Sequence, residues 1–162
     1  AITDKTPELI EACKVSLLDR GFGQKSGANG SGWGKANKVN LWARAKDGNR
    51  AYSMLRELIN KNIAPNLWDF HPPYQMDGNC GYTSGVCEML CYSSDDIIEL
   101  LPALPEEWKN GSVKGLCARG GYSLDFTWEN GKIKSLSVYS SCGKKTARIK
   151  TGDEIKTVKT VG

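Results

Sequence analysis

Tyr122-Ser-Leu-Asp-Phe-Thr-Trp-Glu-Asn-Gly-Lys-Ile-Lys-Ser-Leu-Ser-Val-Tyr139 decides the architecture of this chain. Two runs of alternating character flank Glu129-Asn130-Gly131, and Asn-Gly supplies the positive φ angles that a tight hairpin turn requires. The alternation continues outward on both sides. Residues 116–119 read as a preceding strand, and the tail from Lys144 alternates around a Gly152-Asp153 turn. The densest basic stretch, residues 144–150, interleaves its charges with small and apolar side chains, as the wet face of a strand does.

Upstream of Trp108 the period is helical. A first helix opens at Thr6-Pro7-Glu8, with Thr6 as cap, Pro7 at the first position and Glu8 at the positive end of the dipole. Leu9, Ile10, Cys13, Leu17 and Leu18 form its buried stripe as far as Arg20. Residues 21–34 contain six glycines and read as a long loop. A second helix begins near Lys35 (Ala36, Val39, Asn40, Trp42, Ala43) and is ended by Asp47-Gly48. A third, capped by Asn49, buries Ala51, Tyr52, Leu55, Leu58 and Ile59. The short connection makes these two an antiparallel hairpin. Residues 60–82, rich in proline and glycine, read as a second irregular stretch. A helix from about Ser84 to Tyr92 follows, and the helical part runs on to about residue 100, closed by Pro102 and Pro105. The expectation is therefore an α+β chain: a helical segment over residues 1–104, then a small antiparallel β domain over residues 105–162.

Composition excludes several functions. The chain has 162 residues, 40% of them hydrophobic and 25% charged, and no apolar run long enough for a membrane span. No basic stretch followed by an apolar core opens it, as a signal peptide requires. A net charge of +4 arises from lysines scattered among acids, so no nucleic-acid surface is expected. The six cysteines lack the spacing of a zinc module and read as buried free thiols, so no metal site is expected. With one histidine, and without Gly-x-Ser-x-Gly or a phosphate loop, hydrolase triads and nucleotide chemistry find no support.

Chemistry concentrates in Asn66-Leu-Trp-Asp-Phe-His-Pro-Pro-Tyr-Gln-Met-Asp-Gly-Asn-Cys-Gly81. Aromatics, amides, an acid and the only imidazole lie there among stiff prolines and permissive glycines. Asp77, flanked by Gln75 and Asn79, could orient and deprotonate a water as the base of an inverting glycosidase does. The same residues also suit an ordinary Asp-Gly turn.

This stretch, continuing through Tyr-Thr-Ser-Gly-Val-Cys-Glu-Met-Leu90, resembles the late barrel motif of glycoside hydrolase family 95, whose main activity is α-L-fucosidase. Gly32-Trp33, Lys38-Val-Asn-Leu-Trp-Ala-Arg44 and Asp47-Gly-Asn-Arg-Ala-Tyr52 resemble the preceding hairpin. Leu100-Leu-Pro-Ala-Leu-Pro105, Trp108, Gly111 and Val113-Lys-Gly-Leu-Cys-Ala-Arg-Gly-Gly121 resemble the exit into the C-terminal β domain.

The resemblance implies the last part of an (α/α)6 barrel followed by a β domain, and hydrolysis of terminal, typically α1,2-linked L-fucose with inversion and without a cofactor. It implies Asp77 as general base, with His71, Gln75, Asn79 and Trp33 near the sugar. The family's general acid is a Glu upstream of this motif, and Glu8, Glu11, Glu57, Glu88 and Glu99 match no such position. The partners implied are a fucosylated oligosaccharide or glycan and the upstream barrel of the same protein, without which this chain is expected to be inactive. Cys80 and Asn37 depart from the family's usual aromatic and Trp. Two rival readings are an α-L-galactosidase of the same family and a non-catalytic carbohydrate-binding or structural module built on Trp33, Trp42, Trp68, Trp108 and Trp128.

Overall fold

The computed structural model describes residues 6–21, 30–70, 74–94 and 96–161. Among the described residues four helices, α1 (Pro7–Asp19), α2 (Gly32–Arg44), α3 (Gly48–Asn62) and α4 (Met76–Leu90), precede seven strands: β1 (Cys91–Ser93), β2 (Ile98–Leu100), β3 (Gly111–Ala118), β4 (Tyr122–Glu129), β5 (Lys132–Ser140), β6 (Thr146–Thr151) and β7 (Glu154–Lys159). The α+β order follows the change of period in the sequence.

Two helix starts differ from the expectation. α2 begins at Gly32 rather than near Lys35, because the Ser31 hydroxyl accepts the Gly34 N–H at 3.2 Å and caps it. α3 is capped by Asp47, whose Oδ1 accepts the Arg50 N–H at 3.0 Å. Asn49 instead exchanges two hydrogen bonds with Glu106, tying α3 to the segment after β2. The two helices run antiparallel: Lys35 lies opposite Asn62, and Trp42 lies under the Arg50 guanidinium.

The larger correction is α4. Residues 76–83, read as loop, are its first two turns, and the helical continuation past Leu90 is absent. Gly78 and Gly81 hid these turns, and with Gly85 α4 carries three glycines, each costing about 1 kcal/mol relative to alanine in a helix interior. Here each meets a neighbour too close for a side chain. A Cβ on Gly78 would overlap the Asp69 carboxyl, one on Gly81 would lie 2.9 Å from Ala36 Cβ, and one on Gly85 2.5 Å from Val39 Cγ1. α4 thereby packs tightly along α2. Successive contacts (Ala36 with Gly81, Asn40 with Ser84, Arg44 with Glu88) advance in the same chain direction, so α2 and α4 are parallel.

After Leu90 the chain turns to strand. Cys91–Ser93 and Ile98–Leu100 pair antiparallel as β1 and β2, and β2 continues into a four-stranded sheet, β1-β2-β6-β7. The β2–β6 pair is parallel, unlike the wholly antiparallel sheet expected. A run as short as residues 95–101 cannot be divided between helix and strand by periodicity, and the burial available beside β6 decides for strand. The change from helix to strand at Leu90 thus precedes the expected 104/105 division.

The second sheet is the β3-β4-β5 meander. Its turn is as expected: Asn130 and Gly131 have φ of 50° and 73°, and Glu129 pairs with Lys132. Leu124, Phe126, Trp128 and Val138 pack on Ile98, Leu100, Ala147 and Ile149 of the other sheet in one core. In the basic stretch 144–150, Ala147 and Ile149 are buried and Lys144, Lys145 and Arg148 exposed, while Lys150 is half-buried in an ion pair with Glu99. A separate helical core joins Val39, Trp42, Met54, Leu55 and Met89, with Trp108 and Val86 touching both cores.

Candidate active site

The parallel approach of α2 and α4 creates a cleft of about 600 Å³ between their exposed faces. Trp33, Ala36, Asn37 and Asn40 line it from α2, and Asp77, Gly81 and Ser84 line it from α4. Its shape follows from the glycines: with no side chain at Gly81 the floor is low, and the two helices approach within backbone reach. Asn40 spans the floor. Its Nδ2 donates to the carbonyls of Ala36 at 2.9 Å and Gly81 at 2.8 Å, and its Oδ1 accepts from the Ser84 hydroxyl at 3.1 Å.

Asp77 sits in the first turn of α4 with its carboxyl exposed to solvent. The Asp-Gly turn reading is replaced by a helical one. Trp33, in the first turn of α2 and 40% exposed, faces the same cleft, so the structure brings together two of the residues singled out from sequence. Among the described residues Asp77 is the only carboxyl on the cleft walls. Glu57, Glu88 and Glu99 are engaged elsewhere, with Lys35 and Lys61, with Arg44, and with Lys46 and Lys150 respectively.

The other candidates are placed differently. Gln75 precedes α4 at the cap position; its Oε1 is buried and makes no hydrogen bond among the described residues. Asn79 turns away from the cleft, accepting the Asp69 N–H at 2.8 Å and donating to the Leu67 carbonyl at 2.7 Å. Its amide is thus used to hold the loop before α4. His71 lies outside the described residues.

Asn40 and Asp69 were missed as site residues. Asn40 had left a signal, an amide inside the apolar stripe of a helix, where the side chain needs polar partners. Asp69 left none: its role depends on meeting Gly32, 37 residues before it, as well as Gly78, and only the fold brings the three together. Its side chain is 1% exposed, lodged between those glycines at the starts of α2 and α4.

Of the five tryptophans, Trp42 and Trp128 are buried and Trp108 packs edge-on against Tyr52. Only Trp33 and Trp68 are exposed enough to stack on a sugar, and Trp68 already lies 4.8 Å from the Tyr74 ring. All six cysteines are free thiols, but Cys80, Cys87, Cys117 and Cys142 are exposed rather than buried. Burial pushes the Cys91 thiol up to about 12, with Glu88 and Cys87 adding to the effect. Among the described residues no three His, Cys, Asp or Glu side chains gather as a metal site, and no helix is long and apolar enough to cross a membrane.

Comparison with known proteins gives this geometry a lineage. Residues 1–90 match the glycosyl hydrolase family 95 catalytic domain, and residues 92–161 match the glycoside hydrolase family 95 C-terminal domain, the two meeting where helix gives way to strand. The chain is 34% identical over 149 residues to alpha-L-fucosidase 2 of Arabidopsis thaliana, covering 85% of this chain and 17% of that protein. It is 35% identical over 136 residues to probable alpha-fucosidase A of Aspergillus oryzae, covering 74% and 18%. The corresponding Aspergillus niger protein is 31% identical over 159 residues, covering 88% and 20%. The chain therefore spans at most a fifth of the length of these relatives. Both family matches, in order and over nearly its whole length, make this chain a member of glycoside hydrolase family 95.

Proposed function

We propose that this chain is the C-terminal part of an inverting glycoside hydrolase that removes terminal, α1,2-linked L-fucose from oligosaccharides or glycans, with Asp77 as general base. One observation carries the reading: an exposed carboxyl on the first turn of α4 opens onto a broad cleft, with an indole on the same cleft. As a base, Asp77 accepts a proton from a water while that water's oxygen bonds to the anomeric carbon. The glycosidic bond breaks, and the leaving oxygen takes a proton from a general acid. Trp33 offers an apolar ring face to the sugar.

Inversion needs two carboxyl groups about 6.5–9.5 Å apart. The second is assigned to the part of the protein upstream of these residues, since Asp77 is alone on the described cleft walls. Leu9, Val15 and Leu18 of α1 and Ile59 of α3 present exposed apolar surface for that region to cover. The arrangement of α2 antiparallel to α3 and parallel to α4 supports assigning these helices to a ring of helical hairpins, the (α/α)6 barrel that the reading expects.

The test uses the full-length protein and 2'-fucosyllactose. Asp77→Asn is expected to lower kcat by about 10²–10⁴-fold with an unchanged circular dichroism spectrum, and NMR of the wild-type reaction should show the β anomer of fucose first. Wild-type turnover by Asp77→Asn would sink the assignment. The 162-residue chain alone is expected to release no fucose. Faster cleavage of an L-galactoside would favour the sibling activity, and tight sugar binding by the isolated chain would favour a binding module.

A further inference from the structure

We propose that Asp69 is a positioning residue that fixes the first turn of α2, with Trp33, against the first turn of α4, with Asp77. The inference rests on the reading of Asp77 as base and adds to it a residue that never reaches the cleft.

Three observations converge. The first is steric. Asp69 is buried, and a Cβ placed on either Gly32 or Gly78 would overlap its carboxyl oxygens, Oδ1 on the α2 side and Oδ2 on the α4 side. One carboxyl therefore occupies the gap between the starts of both helices, and its width sets their separation. Gly32 directly precedes Trp33 and Gly78 directly follows Asp77, so the gap is adjacent in the chain to both cleft residues.

The second is that Asp69 is itself held from both sides. Its N–H donates to Asn79 Oδ1 at 2.8 Å, and its carbonyl accepts from the Gln75 N–H at 3.4 Å. At the next residue the Phe70 N–H donates to the Asn62 carbonyl at 2.6 Å, while Asn62 Nδ2 donates to the carbonyls of Phe70 and Gly30. α3, α4 and the approach to α2 are thus tied to residues 69–70. The wedge cannot shift without moving all three.

The third is electrostatic. The starts of α2 and α4 carry the positive ends of two helix dipoles, which favour a negative group placed between them. An amide of the same shape keeps the volume and loses this attraction.

The test is carried out on the full-length protein with a fucoside substrate. Asp69→Asn is expected to lower kcat at least tenfold, roughly, while KM changes less than about threefold and circular dichroism stays native, because a displacement near 1 Å costs turnover before it costs binding. Gly32→Ala disturbs the same carboxyl from the side opposite Asp77 and is expected to give the same kcat-selective loss. The two losses should not multiply in the double variant. Wild-type kcat in both single variants would overturn the proposal. So would loss of the fold in both, which would assign the carboxyl to stability alone. Failure here leaves Asp77 untouched, whereas an active Asp77→Asn protein would remove the base assignment whatever Asp69 does.

Discussion

Gly85→Ala tests whether the glycines of α4 are packing residues. On helix propensity alone the substitution stabilises by about 1 kcal/mol. Against this, the new Cβ would stand 2.5 Å from Val39 Cγ1, where carbon atoms prefer about 3.5–4.0 Å. Val39 cannot swing aside. It is fully buried among Trp42, Met54 and Met89, and a β-branched side chain in a helix has essentially one rotamer. The helices must then separate by roughly 1 Å, an overpacking cost of about 1–3 kcal/mol. With no side-chain escape the cost lies in the upper part of that range, and the net expectation is destabilisation by about 1–2 kcal/mol. Calorimetry of the full-length protein should show the transition of the helical domain lowered by a few degrees, at about 2–4 °C per kcal/mol. Val39→Ala alone removes two buried methyl groups and costs about 2 kcal/mol. In the double variant the added Cβ fills the vacated space, so the combined loss should fall short of the sum by about 1–2 kcal/mol. A rise in melting temperature for Gly85→Ala, or strict additivity with Val39→Ala, would refute the packing argument.

Gly131→Ala should cost about 1 kcal/mol, read by the same calorimetry, because the position holds φ at 73° in the β4–β5 turn and a Cβ disfavours that conformation. Native protein treated with iodoacetamide at pH 8 should be alkylated at the exposed Cys80 and spared at Cys91, whose raised pKa keeps it protonated; peptide mass spectrometry separates the two. The same shift has a sign for stability. Unfolding restores Cys91 to an ordinary thiol near 8.5, so its contribution is present below that pH and is lost as pH rises towards about 12.

The β half of the chain was legible because its information is local. Alternation and Asn130-Gly131 act within a few residues, and the hairpin they specify is the one observed. The helices α1, α2 and α3 are local in the same sense, although Leu9, Leu18 and Ile59 of the expected buried stripes are exposed, and the caps passed to Ser31 and Asp47, four residues before the expected start near Lys35 and two before Asn49. α4 was not legible at its start. Gly78 and Gly81 carry a local signal against helix, and close packing against Asp69 and against Ala36, 45 residues before Gly81, reverses it.

Residue types at short spacing were enough for the order of helix and strand and for the hairpin turn, while the family and the choice of Asp77 came from a resemblance that runs along most of the chain. Tertiary structure alone decided that Asp77 belongs to a helix and shares a cleft with Trp33, that Asn79 holds a loop, and that Asp69 lies between two helix starts. These outcomes depend on which atoms meet in the folded chain, across ten or twelve residues for Asn79 with Asp69 and Leu67 and across 37 for Gly32 with Asp69, and no local pattern records such a meeting.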